Sequence, residues 1–165
     1  MPGSTTAPAM PSVMKYRITV EPRYLRADLY FRRTAAETRE FLDAVAAEGI
    51  KHQRWRILIS VHASRSIFTV EKYGISSFLD LAVRYAEKIA LHADAIELHI
   101  AHDYIALLAR ARGINVRTFR NEAAAIEWLK DQRYRSERRQ RTERHLPLER
   151  RKDRGRRGHP ARPDR

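Results

Sequence analysis

Cysteine is absent from the 165-residue chain, which excludes disulfides, thiolate zinc sites and cysteine nucleophiles. Long apolar runs are absent too, since none approaches the roughly 18–20 residues of a membrane span. The N-terminus lacks the charged-then-apolar order of a signal peptide, and the expectation is a soluble cytoplasmic protein. The six glycines are scattered, with neither a Gly-x-Gly-x-x-Gly nor a Walker lysine, so no phosphate-cradling loop is indicated. There is no Gly-x-Ser-x-Gly elbow and no pair of carboxylates recurring at a strand end, which leaves nucleophilic and two-carboxylate catalysis without support. A non-enzyme without a cofactor is the expected class.

Positive charge is plentiful but unevenly placed. Residues 1–130 carry 19 Lys/Arg against 14 Asp/Glu, a balance of +5, whereas 131–165 carry 14 against 6, a balance of +8. The excess belongs to an appended tail, whose natural partners are polyanions such as RNA, DNA or anionic headgroups. Arg133, Arg135, Arg138, Arg139, Arg141, Arg150, Arg151 and Lys152 would make the phosphate contacts, with Tyr134 able to stack on a base. A tail that only solubilises the chain is the plain alternative.

At 43% hydrophobic content the chain holds enough apolar residues for one packed domain. Residues 1–14, rich in Pro, Ser, Thr and Ala, read as a disordered leader. Lys15–Glu21 alternates, with Tyr16, Ile18 and Val20 on one face, and Leu25–Arg32 alternates after the Pro22 break. The pair reads as an antiparallel hairpin. Thr34 and Glu37 form a capping box that opens a helix, with Phe41, Leu42, Val45 and Ala46 as its stripe and Gly49 as its stop. Trp55–Val61 is apolar at nearly every position of its second half, as in a central parallel strand covered on both faces.

A long connection follows, and the next amphipathic run, Ile75 to Ile89, starts at Thr69 or as late as Ser76. Ala95–Ala101 reads as a strand, Asp103 as the N-cap of the next helix and Gly113 as its stop. Asn115–Phe119 is the last strand, and Asn121 with Glu122 opens the last helix. The helix after Asn121 has charge spacings that let it run on beyond Lys130, and from Leu146 the Pro, Gly and Arg content predicts disorder. The result is one α/β domain over 15–130 with a mixed, mostly parallel sheet, an N-terminal antiparallel hairpin and four helices, followed by a basic extension.

The order β-β-α-β-α-β-α-β-α, together with the stretch HDYIALLARARGINVRTFRNEAAAIEWL, resembles the SpoIIAA-like superfamily. That superfamily includes the STAS (sulphate transporter and anti-sigma-factor antagonist) and STAS/SEC14-type bacterial domains. The resemblance covers about 15–130. It implies a non-enzymatic regulatory module that binds a partner protein and, in the anti-sigma antagonists, is switched by phosphorylation at the start of the helix after the central strand. Where those members carry an Asp-Ser-Ser-Gly-like turn, this chain has Gly74-Ile75-Ser76-Ser77. Ser76, Ser77 and Thr69 are the candidate phosphoacceptors, since a phosphate at a helix N-terminus is favoured by the free amides and the dipole; ordinary caps are the alternative.

The working surface is expected at the carboxyl edge of the sheet, where open α/β sheets bind ligands. It comprises His62, Ser64, Arg65 and Ser66 after the central strand, and His102 with Asp103 after the neighbouring one. The surface would take a protein partner or a small ligand. Read on a strand, His99 and His102 point to opposite faces, which is poor geometry for a metal, so no metal is expected. Nothing in the composition decides the oligomeric state.

Overall fold

The computed structural model describes residues 13–67, 69–70 and 72–132. Expectations for the leader up to residue 12 and for the tail from Arg133 lie outside the described residues. Nine elements follow one another: β1 (Lys15–Val20), β2 (Leu25–Tyr30), α1 (Ala35–His52), β3 (Arg56–His62), α2 (Ile75–Tyr85), β4 (Lys88–Ala93), α3 (Ile96–Ala111), β5 (Val116–Phe119) and α4 (Glu122–Lys130). They form one sheet in the order β1-β2-β3-β4-β5. β1 runs antiparallel to β2, and every other neighbour is parallel. The expected α/β class, hairpin and central strand are all present.

Alternation along β3 and β4 divides the core. Ile57, Ile59, Val61, Ile89 and Leu91 pack with Phe41, Val45, Phe78, Leu79, Leu98 and Ala106, so α1, α2 and α3 share one face. Successive crossovers that step the same way across a sheet, with one hand, must land on the same side. Leu58 and Ala90 face the other way, onto Ala125 and Leu129 of α4. The fully buried Phe41, Leu25, Leu29, Ile57, Leu58 and Ile89 each contribute about 1.5–3 kcal/mol of transfer free energy. The β1 edge is blunted by the exposed Lys15, Arg17 and Thr19, which discourages pairing with another chain.

The helix ends show where local signals hold and where they do not. The Thr34 box is intact: Glu37 N donates to Thr34 Oγ1 at 3.2 Å, and Thr34 N donates to Glu37 Oε2 at 2.9 Å. Gly49 does not stop α1, which continues to His52 and ends on Gln53 in the left-handed region at φ 51°. The glycine serves a close approach instead. A Cβ there would meet the Arg54 carbonyl oxygen at 3.3 Å and the Trp55 ring at 3.5 Å, where the chain turns back with Arg54 N donating to Gly49 O at 3.0 Å. Asn121 caps α4 as expected, accepting from Ala124 N at 3.1 Å, and Gly113 follows α3 at φ 79°.

Two boundaries differ from the sequence reading. The amphipathic run, expected to reach Ile89, breaks at Ala86, which turns to extended backbone, and Lys88 and Ile89 open the strand Lys88–Ala93 instead. Ala95–Ala101 is not a strand, because α3 begins at Ile96, and Asp103 lies inside that helix rather than capping it. Ile89 continues the helical spacing of α2, while Ile96, Leu98 and Ile100 alternate with polar residues like a strand. Each segment therefore satisfies the wrong period over a short window.

α2 starts late, with Gly74 as its N-cap at φ 71°. A Cβ at Gly74 would come within 2.6 Å of Arg39 Cγ, whereas at Gly113 it would meet nothing within 4 Å. Both positions carry the left-handed backbone penalty of about 1 kcal/mol for alanine. Gly74→Ala is expected to lower unfolding free energy by about 1–2 kcal/mol and Gly113→Ala by about 1. Urea denaturation measures both, and equal losses would mean that Arg39 moves aside freely.

Candidate functional site

Strand register builds a polar row across the α4 side of the sheet. Arg17 pairs with Asp28, Asp28 with Ser60, and Ser60 with His92. One step toward the carboxyl ends, Tyr30 pairs with His62. Arg26 holds one side of the row, with Nε on Asp28 Oδ2 at 2.9 Å and its two terminal nitrogens on the Glu122 carboxylate at 2.7 and 3.1 Å. This fork is the strongest kind of side-chain ion pair. The His62 ring stacks on Tyr30 with centroids 4.7 Å apart and lies edge-on to His92 at 6.2 Å, which in turn meets His99 at 6.4 Å.

Serine, histidine and aspartate are the types used in nucleophilic triads, but the spacing does not assemble one. His62 Nε2 is 3.8 Å from Asp28 Oδ1, and its Nδ1 is 3.8 Å from Asp94 Oδ2, beyond hydrogen-bond reach. Asp28 Oδ1, Ser60 Oγ, His62 Nε2 and His92 Nδ1 are buried without a hydrogen bond among the described residues. Burial holds His92 below its ordinary pKa, so near neutral pH it is an uncharged ring. No group of three His, Asp or Glu among the described residues is arranged to hold a metal ion.

The residues singled out in the sequence separate into distinct places. His62 belongs to the polar row. His102, on α3, is turned to the opposite side of the sheet and buried in the core with Arg32, Thr38 and Phe41 around a common cavity. Asp103 is exposed, and its Oδ1 accepts from Thr118 Oγ1 at 2.6 Å, tying α3 to β5. The three do not converge.

The loop after β3 is pinned to the end of β2. Ser64 Oγ accepts from Arg32 N at 3.1 Å and donates to His62 O at 2.9 Å. Arg65 N donates to Arg32 O at 3.0 Å, and Ala63 N donates to Asp94 Oδ2 at 3.0 Å. Ser66 is half-buried, Thr69 is exposed, and Val70 belongs to the core. Ser76 and Ser77 sit in the first turn of α2, where no side chain caps the open amides. Arg112 Nη1 reaches the Ser76 carbonyl at 3.5 Å and lies 3.7 Å from Asp80 Oδ1. The tail residues from Arg133 to Lys152 lie outside the described residues.

Sequence reasoning missed Arg32, Asp28, Ser60 and His92 as site residues. Each sat in a strand or at its end, and only cross-strand register brings Asp28, Ser60 and His92 into one row. It missed a surface as well. Ile96, Ile100, Tyr104 and Leu107 are 62%, 68%, 55% and 61% exposed, and their spacing of four, four and three residues lines them along the outer face of α3. Leu98, His102, Ala106 and Ala109 point inward from the same helix. Compared with protein-family models, curated proteins and solved structures, the chain matches none.

Burial first, then the positive groups around it, push His102 down to about 4 from an ordinary 6.5. Between those values the unfolded chain binds a proton that the folded one refuses, so stability is complete above pH 6.5 and declines as pH falls toward 4. The difference corresponds to roughly 3 kcal/mol. His102→Leu is expected to flatten the dependence of unfolding free energy on pH across that window, read by urea denaturation at several pH values. A variant with the wild-type slope would show that His102 does not carry the effect.

Proposed function

We propose that this chain is a non-enzymatic interaction module of the STAS-like kind, and that it associates with a second copy of itself through the outer face of α3. The observation that carries the reading is the stripe of Ile96, Ile100, Tyr104 and Leu107. Large apolar side chains exposed together on one face mark association surfaces, whereas single ones scattered over a surface are ordinary. The STAS-like assignment rests on element order and on the FRNEAAAIEWL ending.

A second copy is the occupant because the stripe is matched to itself. In an antiparallel pair related by a two-fold axis, Ile96 meets Leu107 and Ile100 meets Tyr104 of the other copy, which is the isologous arrangement of most soluble dimers. Eight partly exposed side chains gaining roughly 1 kcal/mol each would stand against an association cost of about 4–15 kcal/mol. That balance favours a weak, concentration-dependent dimer suited to regulation. Arg112, just beyond the end of α3, reaches Ser76 at the start of α2. A phosphate on Ser76 would draw that arginine and give the switch a route to the α3 face.

Sedimentation equilibrium tests the pairing. The wild type is expected to shift from monomer to dimer between micromolar and submillimolar concentration, and Ile100→Lys combined with Leu107→Lys is expected to remain monomeric with an unchanged circular dichroism spectrum. A wild type that stays monomeric throughout, or a double variant that still pairs, overturns the reading.

A second reading, polyanion binding through the tail, is favoured by the +8 balance of residues 131–165 against +5 for the rest. RNA retardation by the full chain is expected to fall steeply with salt and to vanish on truncation after Lys130. Retardation unchanged by truncation removes it.

A further inference from the structure

A cavity of about 60 Å³ lies between the sheet and α1, α2 and α3. That is several times the ~10–15 Å³ that one water occupies by the same measure, so the space takes a group of a few heavy atoms. Leu29, Phe41, Ile59, Phe78 and Leu91 are among its apolar walls, and Arg32, Thr38 and His102 are its polar members.

Arg32 is the anomaly. It is 2% exposed, carries a full charge at neutral pH, and has no carboxylate partner among the described residues. Its Nε is buried and unpartnered. One terminal nitrogen donates to the Arg65 carbonyl, and the guanidinium lies 5.5 Å from the Tyr73 ring centre. Both contacts fix its position, and neither supplies a negative charge. The nearby Glu37 carboxylate accepts from the amides of Arg33 and Thr34; its charge favours the Arg32 cation from a distance, but it makes no hydrogen bond to the guanidinium. A buried cation with no anion bonded directly to it is unfavourable, yet the backbone on both sides of this one is pinned, at its nitrogen by Ser64 and at its carbonyl by Arg65.

We propose that the cavity binds a small aliphatic monocarboxylate, its carboxylate on the Nε edge of Arg32 and its hydrocarbon end among Leu29, Phe41, Ile59 and Phe78. The chemistry selects the class. The Nε edge of a guanidinium presents two parallel N–H donors that match one carboxylate; here they are the unpartnered Nε–H and one of the two hydrogens of the terminal nitrogen that also donates to the Arg65 carbonyl. The His102 ring, uncharged and with Nδ1 unpartnered, adds a further hydrogen-bonding group at the same cavity. A phosphate would bring more charge and more oxygens than these donors satisfy, and the apolar walls would strip its water without replacement. The volume limits the tail to a short or branched chain. This site is on the inner side of α3, away from the stripe of Ile96 to Leu107, and stands or falls independently of self-association.

Isobutyrate is the probe, with phosphate and the uncharged isobutyramide as controls, all against the full chain. Isobutyrate is expected to raise the melting temperature saturably while neither control does. Arg32→Met, which keeps the volume and removes both charge and fork, is expected to weaken isobutyrate binding roughly tenfold to hundredfold. Its stability is expected to equal or exceed that of the wild type, because an uncompensated cation has been removed. The side-chain Nε–H resonance of Arg32 in wild-type protein supplies a readout that needs no variant, and it is expected to move with isobutyrate and stay still with isobutyramide. No melting shift together with an unmoved Nε–H signal overturns the proposal, as does equal stabilisation by phosphate or by isobutyramide.

Discussion

The central strand β3 must satisfy two different environments at once, and the rest of the domain is arranged around how it does so. Ile57, Ile59 and Val61 face three helices and are buried without exception. On the opposite side the residues change character along the strand, from Leu58 under α4 to Ser60 and His62 beyond it. One helix, α4, covers the apolar half of that face. The remaining half holds Asp28, Ser60, His62 and His92, whose polar atoms are incompletely paired among the described residues. Parallel strands buried on both faces are ordinarily apolar throughout, so the change at Ser60 marks a boundary between apolar packing and a polar row on a single strand.

Much of this was legible in the residues. The Thr34 capping box, the Asn121 cap and the glycine after α3 are local devices whose chemistry works whatever surrounds them, and all three appear where expected. The misreadings came from segments whose meaning depends on distant partners. Gly49 looks like a stop until the returning chain at Arg54 and Trp55 is in place. Ile89 looks like the end of α2 until β3 and β5 flank the strand it belongs to. The candidate site was less legible than the fold, because Asp28, Ser60 and His92 become neighbours only through register, and Arg32 becomes unusual only once it is seen buried with no carboxylate hydrogen-bonded to it among the described residues.

The strand misread at Ala95–Ala101 and the exposed face of α3 have one cause. Ile96 and Ile100 lie on the outer face, and Leu98 lies on the inner face. Over this short window, apolar residues on two sides of a helix alternate with Glu97 and His99 in a period of two. A surface helix ordinarily carries polar residues on its outer face and would not have produced that alternation. The apolar residues that obscured the helix are those that the described residues leave exposed, so the local ambiguity was itself a sign of an apolar outer face.

Charge inside the domain follows a consistent hierarchy. Arginine cannot shed its proton under ordinary conditions. Burial lowers the pKa of Arg32, but the guanidinium remains a cation, and a neighbouring group must adjust to it. His102 is that neighbour. Desolvation and the surrounding positive groups, Arg32 among them, hold the ring uncharged down to about pH 4, which keeps a second positive charge out of the same cavity. The Tyr73 ring and the Arg65 carbonyl offer partial negative charge from the remaining directions. These contacts reduce the burden of the buried cation without neutralising it, and the carboxylate proposed for this cavity would complete the balance without rebuilding the core.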